Sequence, residues 1–346
     1  MTQRIRTALL GFGHAGGIFH APSLAALENF SLDVIVTSDP DRQLAARAQY
    51  PQAAVLSREE WAATGNTHGL DLVVVATPPA SHVALTQAAL EAGCAVVVDK
   101  PFTVTSTQGQ ALIELAREKG LLLTTYQNRR WDGEFLTLKK LIAEGALGDV
   151  RRFESRLERW QQGTTKEWKA KATPADGGGI LYDLGTHLID QALQLFGPPV
   201  RVYGEVTARR EGELSDDDAF VALEHEGGVI SHLWMNLGVP QLGPRLRVLG
   251  SQAAYVKVVG DQQEAQLQAG ILPGNPGYGV DPQENWGLLG HDGALTPAPT
   301  ERGNFTDFYG LLATALLDGG PAPVDPVDSV DALRVIEQVR DQARWL

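Results

Sequence analysis

A glycine-rich hexapeptide near the N-terminus constrains the fold of this chain more than any other feature. Residues 11–16 have the GxGxxG pattern and directly follow an apolar run that begins at Ile5. In a strand–turn–helix unit the first glycine makes the tight turn, the second lets a pyrophosphate approach the backbone, and the third permits close packing of helix on strand. The N-terminus of the following helix favours a phosphate as well. We therefore predict a Rossmann fold whose turn contacts a dinucleotide through Gly11, Phe12, Gly13, His14, Ala15 and Gly16.

The first 125 residues alternate short β-branched runs with segments of helical length. This alternation is typical of an α/β fold, a doubly wound parallel sheet with crossover helices. The predicted strands are Ile5–Gly11, Leu32–Thr37, Ala53–Leu56, Leu72–Ala76, Ala95–Val98 and Leu121–Thr125. The predicted helices are Leu44–Tyr50, Ser81–Ala92 and Thr107–Lys119. We expect residues 1–125 to form a dinucleotide-binding domain.

Beyond residue 125, longer helices and strands at hairpin spacing predict a C-terminal α+β domain with an open, mostly antiparallel sheet. The predicted strands are Val150–Trp160, Val200–Ala208, Ala219–Glu226, Val229–Leu237, Leu246–Gly250 and Ala253–Val259. The predicted helices are one that runs through Phe135 and Ile142 and ends at Gly145, then Ile180–Phe196, Phe305–Leu317 and Ser329–Trp345, with an irregular excursion over 270–292. A chain of 346 residues exceeds the usual size of one core, so we expect residues 126–346 to form a second domain.

Composition excludes several classes of protein. A net charge of -13 disfavours a nucleic-acid partner, because no basic stripe offsets it locally. No apolar stretch approaches the ~20 residues of a membrane span, so we expect a soluble, cytoplasmic protein without a membrane partner. The only cysteine, Cys94, excludes an intramolecular disulfide and is expected to be a buried structural thiol.

The end of the second predicted strand bears on the choice of cofactor. The carboxylate that usually binds the adenosine ribose is expected about 20 residues after the glycine motif, and here it comes late, at Asp39. Because Asp39 precedes Pro40, it is also placed to cap a helix. If it does, Thr37 and Ser38 face the ribose and Arg42 is free to meet a 2′-phosphate. The cofactor is NADP or NAD, and this pattern slightly favours NADP.

Two further segments end strands at the edge of the sheet where ligands bind. Thr77, Pro78 and Pro79 follow the fourth strand, with Ser81 expected to cap a helix. His82 is assigned to the cofactor site, the alternative being an exposed residue of the first helical turn. Lys100 ends the fifth strand, where its ammonium group can point at a substrate hydroxyl beside the nicotinamide.

Asp183 and His187 are four residues apart and so share one face of a predicted helix. Such a pair could bind a metal ion, yet no third ligand candidate lies near it, and we predict no metal site. It could also be an ordinary pair on a helix surface.

Several motifs together resemble the glucose-fructose oxidoreductase and inositol dehydrogenase (Gfo/Idh/MocA) superfamily, in particular its scyllo-inositol dehydrogenase-like subgroup. The resemblance covers nearly the whole chain. Its motifs are the Gly11-Phe12-Gly13 turn with Phe19-His20-Ala21-Pro22, Asp99-Lys100-Pro101-Phe102, the segment Tyr126–Asp132, Gly145-Ala146-Leu147-Gly148, and the segment Leu181–His187.

The resemblance implies an NAD(P)-dependent oxidoreductase acting on a sugar, inositol or related polyol, assembled as a homodimer or homotetramer through the outer face of its second sheet. It maps the family's catalytic lysine onto Lys100 and its Asp-x-x-x-His pair onto Asp183 and His187, with Asp99 replacing the usual glutamate. His187 would then act as general base and Lys100 would stabilise alkoxide character. Asn128 and Arg129 would line the nicotinamide end of the cleft. The expected substrate contacts are Lys100, Tyr126, Asn128, Trp160, Trp168, Asp183 and His187.

Three alternatives stay open on the sequence alone. The same fold could use tightly held NAD to hydrolyse a glycoside by transient oxidation. It could also be a non-catalytic dinucleotide-binding protein that regulates a partner, although the presence of Lys100, Asp183 and His187 together argues against this. The two tryptophans, Trp160 and Trp168, could pack in a core or a subunit contact rather than against a sugar.

Overall fold

The computed structural model describes residues 4–64, 69–161, 163 and 171–342 of the chain. The N-terminal sheet has six parallel strands in the order β3-β2-β1-β4-β5-β6, which confirms the predicted doubly wound α/β fold. Its strands are β1 Ile5–Leu10, β2 Phe30–Val36, β3 Ala54–Leu56, β4 Leu72–Val75, β5 Ala95–Asp99 and β6 Leu123–Tyr126. The carboxyl ends of β1, β4 and β5 carry the glycine turn, Thr77 and Lys100, as the sequence predicts.

Helices connect these strands. The helices are α1 Ala21–Ala25, α2 Pro40–Gln49, α3 Arg58–Thr64, α4 His82–Glu91 and α5 Ser106–Lys119. Side-chain caps begin α2 and α5. A π-helical turn, Ala15–His20, leads into α1. Helix α5 starts at a capping box between Thr105 and Gln108 and ends at Gly120, which has a left-handed backbone. These local signals explain why its bounds match the prediction closely.

The second sheet has eight strands in the order β14-β13-β12-β11-β7-β10-β9-β8. Only the pairing of β7 with β10 is parallel among its described strand pairs, so the predicted open, mostly antiparallel sheet is confirmed. The strands are β7 Val150–Glu158, β8 Pro199–Thr207, β9 Asp218–His225, β10 Ile230–Asn236, β11 Leu246–Gly250, β12 Ala254–Lys257, β13 Gly287–His291 and β14 Ala294–Ala298.

The expectation of an irregular excursion over 270–292 is wrong at its C-terminal end. Residues 287–298 form the β13–β14 hairpin at the sheet edge. Strand β14 is exposed along most of its length, so it lacks the alternation of apolar and polar residues that identifies a half-buried strand. The short helix Gln263–Gln268, just before this region, was also missed, because its sequence is mostly polar and lacks an apolar helical periodicity.

The C-terminal helices connect the two sheets. The helices are α6 Gly133–Ala143, α7 Thr186–Phe196, α8 Gln263–Gln268, α9 Thr306–Asp318 and α10 Pro326–Gln342. Phe308 and Leu312 of α9 pack in one core cluster with Leu9 of β1, on one side of the first sheet. Leu188 of α7 and Ile336 of α10 belong to a second cluster that includes strands of both sheets. Helix α9, near the C-terminus, therefore packs against the N-terminal sheet. The predicted domain boundary between residues 125 and 126 stays a prediction.

Within the described ranges, none of the helices has both the length and the apolar character needed to cross a membrane.

Candidate active site

The glycine turn has the geometry that a bound pyrophosphate requires. Gly11 has a φ of 101°, and a Cβ there would overlap the carbonyl oxygen of Ala76. A Cβ on Gly16 would overlap the carbonyl oxygen of Gly11. The turn can therefore form only without side chains at these positions, and it lies at the carboxyl end of β1. These residues fit a dinucleotide.

The adenosine end of the site contains the predicted helix cap. The Asp39 carboxylate accepts a hydrogen bond from the backbone N–H of Arg42 at 3.1 Å, and Pro40 begins the helix. Ser38 Oγ accepts from the backbone N–H of Arg58 at 3.1 Å, while Thr37 is buried. The Arg42 guanidinium lies next to Gly13, since a Cβ built on that glycine would be 3.4 Å from one of its nitrogens. A basic side chain therefore lies beside the turn while Asp39 caps α2.

The assignment of His82 to the cofactor site is wrong. Its ring is fully buried, with Nδ1 2.9 Å from the carbonyl oxygen of Pro101 and Nε2 2.8 Å from that of Thr77. Both ring nitrogens therefore bond to the backbone and link the ends of β4 and β5. Ser81 makes no capping hydrogen bond, because its hydroxyl bonds instead to Thr77 Oγ1 and to the carbonyl oxygen of Pro78. Thr77, Pro78 and Pro79 do lie at the ligand-facing edge.

Lys100 and Asp183 are brought together although 83 residues separate them. Lys100 Nζ donates to the Asp183 carboxylate at 2.7 Å and to its main-chain carbonyl oxygen at 2.6 Å. Asp183 lies in a π-helical turn, Leu181–Gly185, that leads into α7, and such turns are frequent at functional sites. An ammonium group has three N–H donors, so one is left for a ligand.

His187 lies at the start of α7 with only 4% of its surface exposed. Its Nδ1 is buried with no hydrogen-bond partner in the described part of the chain. Burial lowers the pKa of His187 well below the ordinary 6.5, Lys100 and Arg129 lower it further, and Asp183 opposes them. The ring is thus neutral at physiological pH and can accept a proton.

Arg129 and Asn128 follow β6 and are nearly buried, as expected for the inner end of the cleft. Arg129 pairs with Asp132 at 3.3 Å and with Glu264 of α8 at 3.4 Å. Glu264 also bonds to His14 of the glycine turn, at 3.2 Å. The hydrogen bond with His14, opposed by burial and aided by Arg129, lowers the pKa of Glu264 to about 2. Sequence reasoning missed Glu264 because no local pattern connects residues this far apart.

The predicted substrate contact of Tyr126 is wrong. Its side chain is buried, and its hydroxyl is enclosed with no hydrogen-bond partner among the described residues. The ring packs against His20, Phe308 and Tyr309, with centroid distances of 4.2, 4.9 and 5.9 Å. Tyr126 is therefore part of the aromatic core beneath the site.

The two tryptophan assignments have different outcomes. Trp160 is 54% exposed and forms a β-bridge with Gly238 just beyond β7, so it stays a candidate for substrate contact. Trp168 lies outside the described residues. In the residues that the structure describes, no three His, Cys, Asp or Glu side chains are grouped to hold a metal ion.

Comparison with known proteins identifies the family. The oxidoreductase family with an NAD-binding Rossmann fold matches residues 5–127, and the GFO/IDH/MocA C-terminal domain matches residues 135–256. The chain belongs to the GFO/IDH/MocA oxidoreductase family. Membership confirms the predicted resemblance, the enzyme class and the use of a nicotinamide cofactor.

Relatives within this family match over nearly the full chain. The scyllo-inositol 2-dehydrogenase (NADP(+)) IolW of Bacillus subtilis is 35% identical over 98% of this chain and 94% of its own. The uncharacterized oxidoreductase YdgJ of Escherichia coli is 38% identical over 97% of this chain and 96% of its own. The solved structure of the oxidoreductase yvaA from Bacillus subtilis superposes with a TM-score of 0.91 at 34% identity, covering 99% of this chain and 96% of its own.

Proposed function

We propose that this GFO/IDH/MocA oxidoreductase oxidises a hydroxyl group of an inositol, sugar or related polyol with NADP. The observation that carries the proposal is the cluster of Lys100, Asp183 and His187 at the ligand-facing edge of the Rossmann sheet. The name of the relative IolW, a scyllo-inositol 2-dehydrogenase using NADP, supports both the substrate class and the cofactor.

His187 is the proposed general base. Oxidation of an alcohol removes the hydroxyl proton as the adjacent carbon loses hydride, for which a nicotinamide cofactor, when bound, would supply the acceptor. Because burial and two nearby cations keep His187 neutral, it can take the proton over the whole physiological pH range. In the reverse direction the protonated ring would return the proton to the carbonyl oxygen.

Lys100 is proposed to orient the substrate hydroxyl. Two of its three N–H donors are used by Asp183, which fixes the direction of the third. A cation held in this way stabilises the negative charge that develops on the substrate oxygen as the proton leaves. Asp183 thus acts through Lys100, and its half-exposed carboxylate can also accept a hydrogen bond from a second substrate hydroxyl.

The preference for NADP is proposed from the adenosine end. The Asp39 carboxylate caps α2 and lies 3.6 Å from Arg42 Nε, so we take it to be engaged at the helix start rather than to bind the ribose hydroxyls. Arg42, which lies beside the turn and is half exposed, is available for the 2′-phosphate that only NADP carries.

A substrate panel tests the proposal. Purified protein would be incubated with NADP or NAD and with inositols, pentoses, hexoses, sugar acids and chromogenic glycosides, and both the reduced cofactor and the released chromophore would be followed by absorbance. We expect stoichiometric NADP reduction with at least one polyol. Glycoside cleavage without net reduction would instead support the hydrolase alternative. Dinucleotide binding without turnover on any substrate would support the regulatory alternative.

We further propose that the protein acts in the cytoplasm as a homodimer or homotetramer. The face of the second sheet turned away from the helices carries half-exposed aromatic side chains, Phe220, His232 and Trp234, which pack against one another. Aromatic residues on a sheet face are typical of subunit contacts. Light scattering coupled to size-exclusion chromatography should give a mass of two or four chains, and a monomeric mass would contradict the assembly.

A further inference from the structure

A carboxylate from the C-terminal half of the chain contacts both the glycine turn and Arg129 in the cofactor cleft. Glu264 Oε1 lies 3.2 Å from His14 Nε2 in the glycine turn, and Glu264 Oε2 accepts from Arg129 at 3.4 Å. His14 comes directly after Gly13, where a pyrophosphate approaches the backbone. Glu264 therefore connects the dinucleotide turn to a cation beside His187.

The helix that carries Glu264 is held in place by other residues. Gln263 is fully buried and donates to the carbonyl oxygen of Trp131 at 3.0 Å, while its amide oxygen accepts from the N–H of Phe305 at 2.7 Å. Leu267 packs in a small core with Phe19 and Phe305. Because these contacts do not involve the Glu264 side chain, removing its carboxylate should leave α8 in position.

The connection continues from Arg129 into the helix of the proposed base. The carbonyl oxygen of Arg129 accepts from Gln191 Nε2 at 2.8 Å. Gln191 and His187 are four residues apart in α7, so they lie on one helical face. Hydrogen bonds thus run from His14 through Glu264 and Arg129 to the helix that carries His187.

We infer that Glu264 is a positioning residue for the dinucleotide: it fixes His14 and the glycine turn against Arg129 in the geometry that receives the cofactor. The inference rests on the proposed function, because it assumes that NADP binds at this turn. It assigns Glu264 no contact with the reacting atoms. Its effect on the cofactor passes through His14.

Electrostatics alone makes the opposite prediction, which makes the inference testable. A carboxylate next to the turn repels an anionic pyrophosphate, so removing its charge should tighten NADPH binding if charge were its only contribution. If Glu264 acts by positioning, its removal releases His14 and weakens binding. The sign of the change in Kd separates the two effects.

The experiment is a fluorescence titration of the full-length protein with NADPH in the absence of substrate. We expect Glu264→Ala to raise Kd about 3- to 10-fold, the range for losing a partly exposed charged hydrogen bond. Glu264→Gln keeps a carbonyl acceptor for Arg129 and an amide facing His14, so its Kd should fall between those of Glu264→Ala and the wild type. Glu301→Ala removes a carboxylate from a surface pair with Lys140 and should leave Kd unchanged.

A double substitution tests whether Glu264 acts through His14. His14→Ala should weaken binding by a similar factor, and the His14→Ala/Glu264→Ala protein should bind about as weakly as either single variant. An unchanged or tighter Kd in Glu264→Ala, or losses that multiply in the double variant, would overturn the inference. If the wild type binds NADPH but oxidises no polyol with NADP, the proposed function fails while the positioning role can still be measured. If the wild type does not bind NADPH, both fail.

Discussion

The two ends of the cofactor cleft are built differently. At the adenosine end, Arg42 and Asp39 are 53% and 44% exposed and bond to each other within one helical turn. At the catalytic end, Lys100 is 18% exposed and pairs with Asp183 from a distant segment, and His187 is nearly buried. On the proposed function, the comparison predicts that cofactor preference depends on an exposed local feature that is easily changed. It also predicts that the chemistry depends on buried contacts between remote parts of the chain.

The largest effect is expected from His187→Ala. Loss of a positioned base should lower kcat for polyol oxidation by roughly 10²–10⁴ while NADPH binding changes little. Steady-state kinetics and an NADPH titration would measure both. His291→Ala, a histidine at the tip of the exposed β13–β14 hairpin, is the control and should behave as wild type. A kcat within a few-fold of wild type would move the base to another group.

The second largest effect on kcat is expected from Lys100→Met, a decrease on the order of 10². The substitution keeps an unbranched side chain but removes the cation that is proposed to orient the substrate hydroxyl. Lys140→Met makes the same change at an exposed surface pair and should retain full activity. If Lys100→Met kept normal turnover, the role of the Lys100–Asp183 pair would be structural only.

At the exposed end, Arg42→Ala should weaken NADP binding about tenfold and leave NAD binding nearly unchanged, since only NADP has a 2′-phosphate for the guanidinium. Kd values for NADPH and NADH would be measured side by side. Arg47→Ala, further along α2, is the matched control. Equal losses for both cofactors would show that Arg42 binds a group that NAD and NADP share.

The smallest effect is expected at Asp39. Loss of the helix cap in Asp39→Ala should reduce the free energy of unfolding by about 1 kcal/mol, and Asp39→Asn, which still caps, should retain most of it. Chemical denaturation would measure the difference. NADPH binding should not weaken in either variant. A large loss of NADH affinity in both would instead identify Asp39 as a ribose ligand.

The sequence predicts the backbone features of the adenosine end well because their determinants are local. The glycine turn and the Asp39 cap each follow from a few adjacent residues, and so does the position of Lys100 after β5 at the catalytic end. The sequence could not place Glu264 beside His14, since 250 residues separate them and the contact exists only once α8 packs against the π-helical turn Ala15–His20. The prediction for His82 was wrong for a similar reason. Its ring bonds to the carbonyl oxygen of Pro101, which follows a different strand, β5.

Asp183 shows an intermediate case. Its spacing from His187 predicts a shared helical face, and both residues do reach the site. The π-helical turn at Leu181–Gly185, with the main-chain carbonyl of Asp183 bound to Lys100, has no sequence signal. Helical periodicity therefore places Asp183 and His187 on one face without giving the backbone geometry that joins Asp183 to Lys100.

The pH dependence of kcat for polyol oxidation tests the central claim, that a buried, neutral His187 is the base, most directly. Oxidation needs the neutral ring, so kcat should fall only as pH drops through the pKa of His187. Because burial and the nearby Lys100 and Arg129 lower that pKa, the acid limb should lie well below pH 6.5. At pH values above that pKa, kcat should stay constant toward neutral pH. The kcat profile of His187→Ala should lack the acid limb. An acid limb at or above pH 6.5, or one that persists unchanged in His187→Ala, would contradict the account.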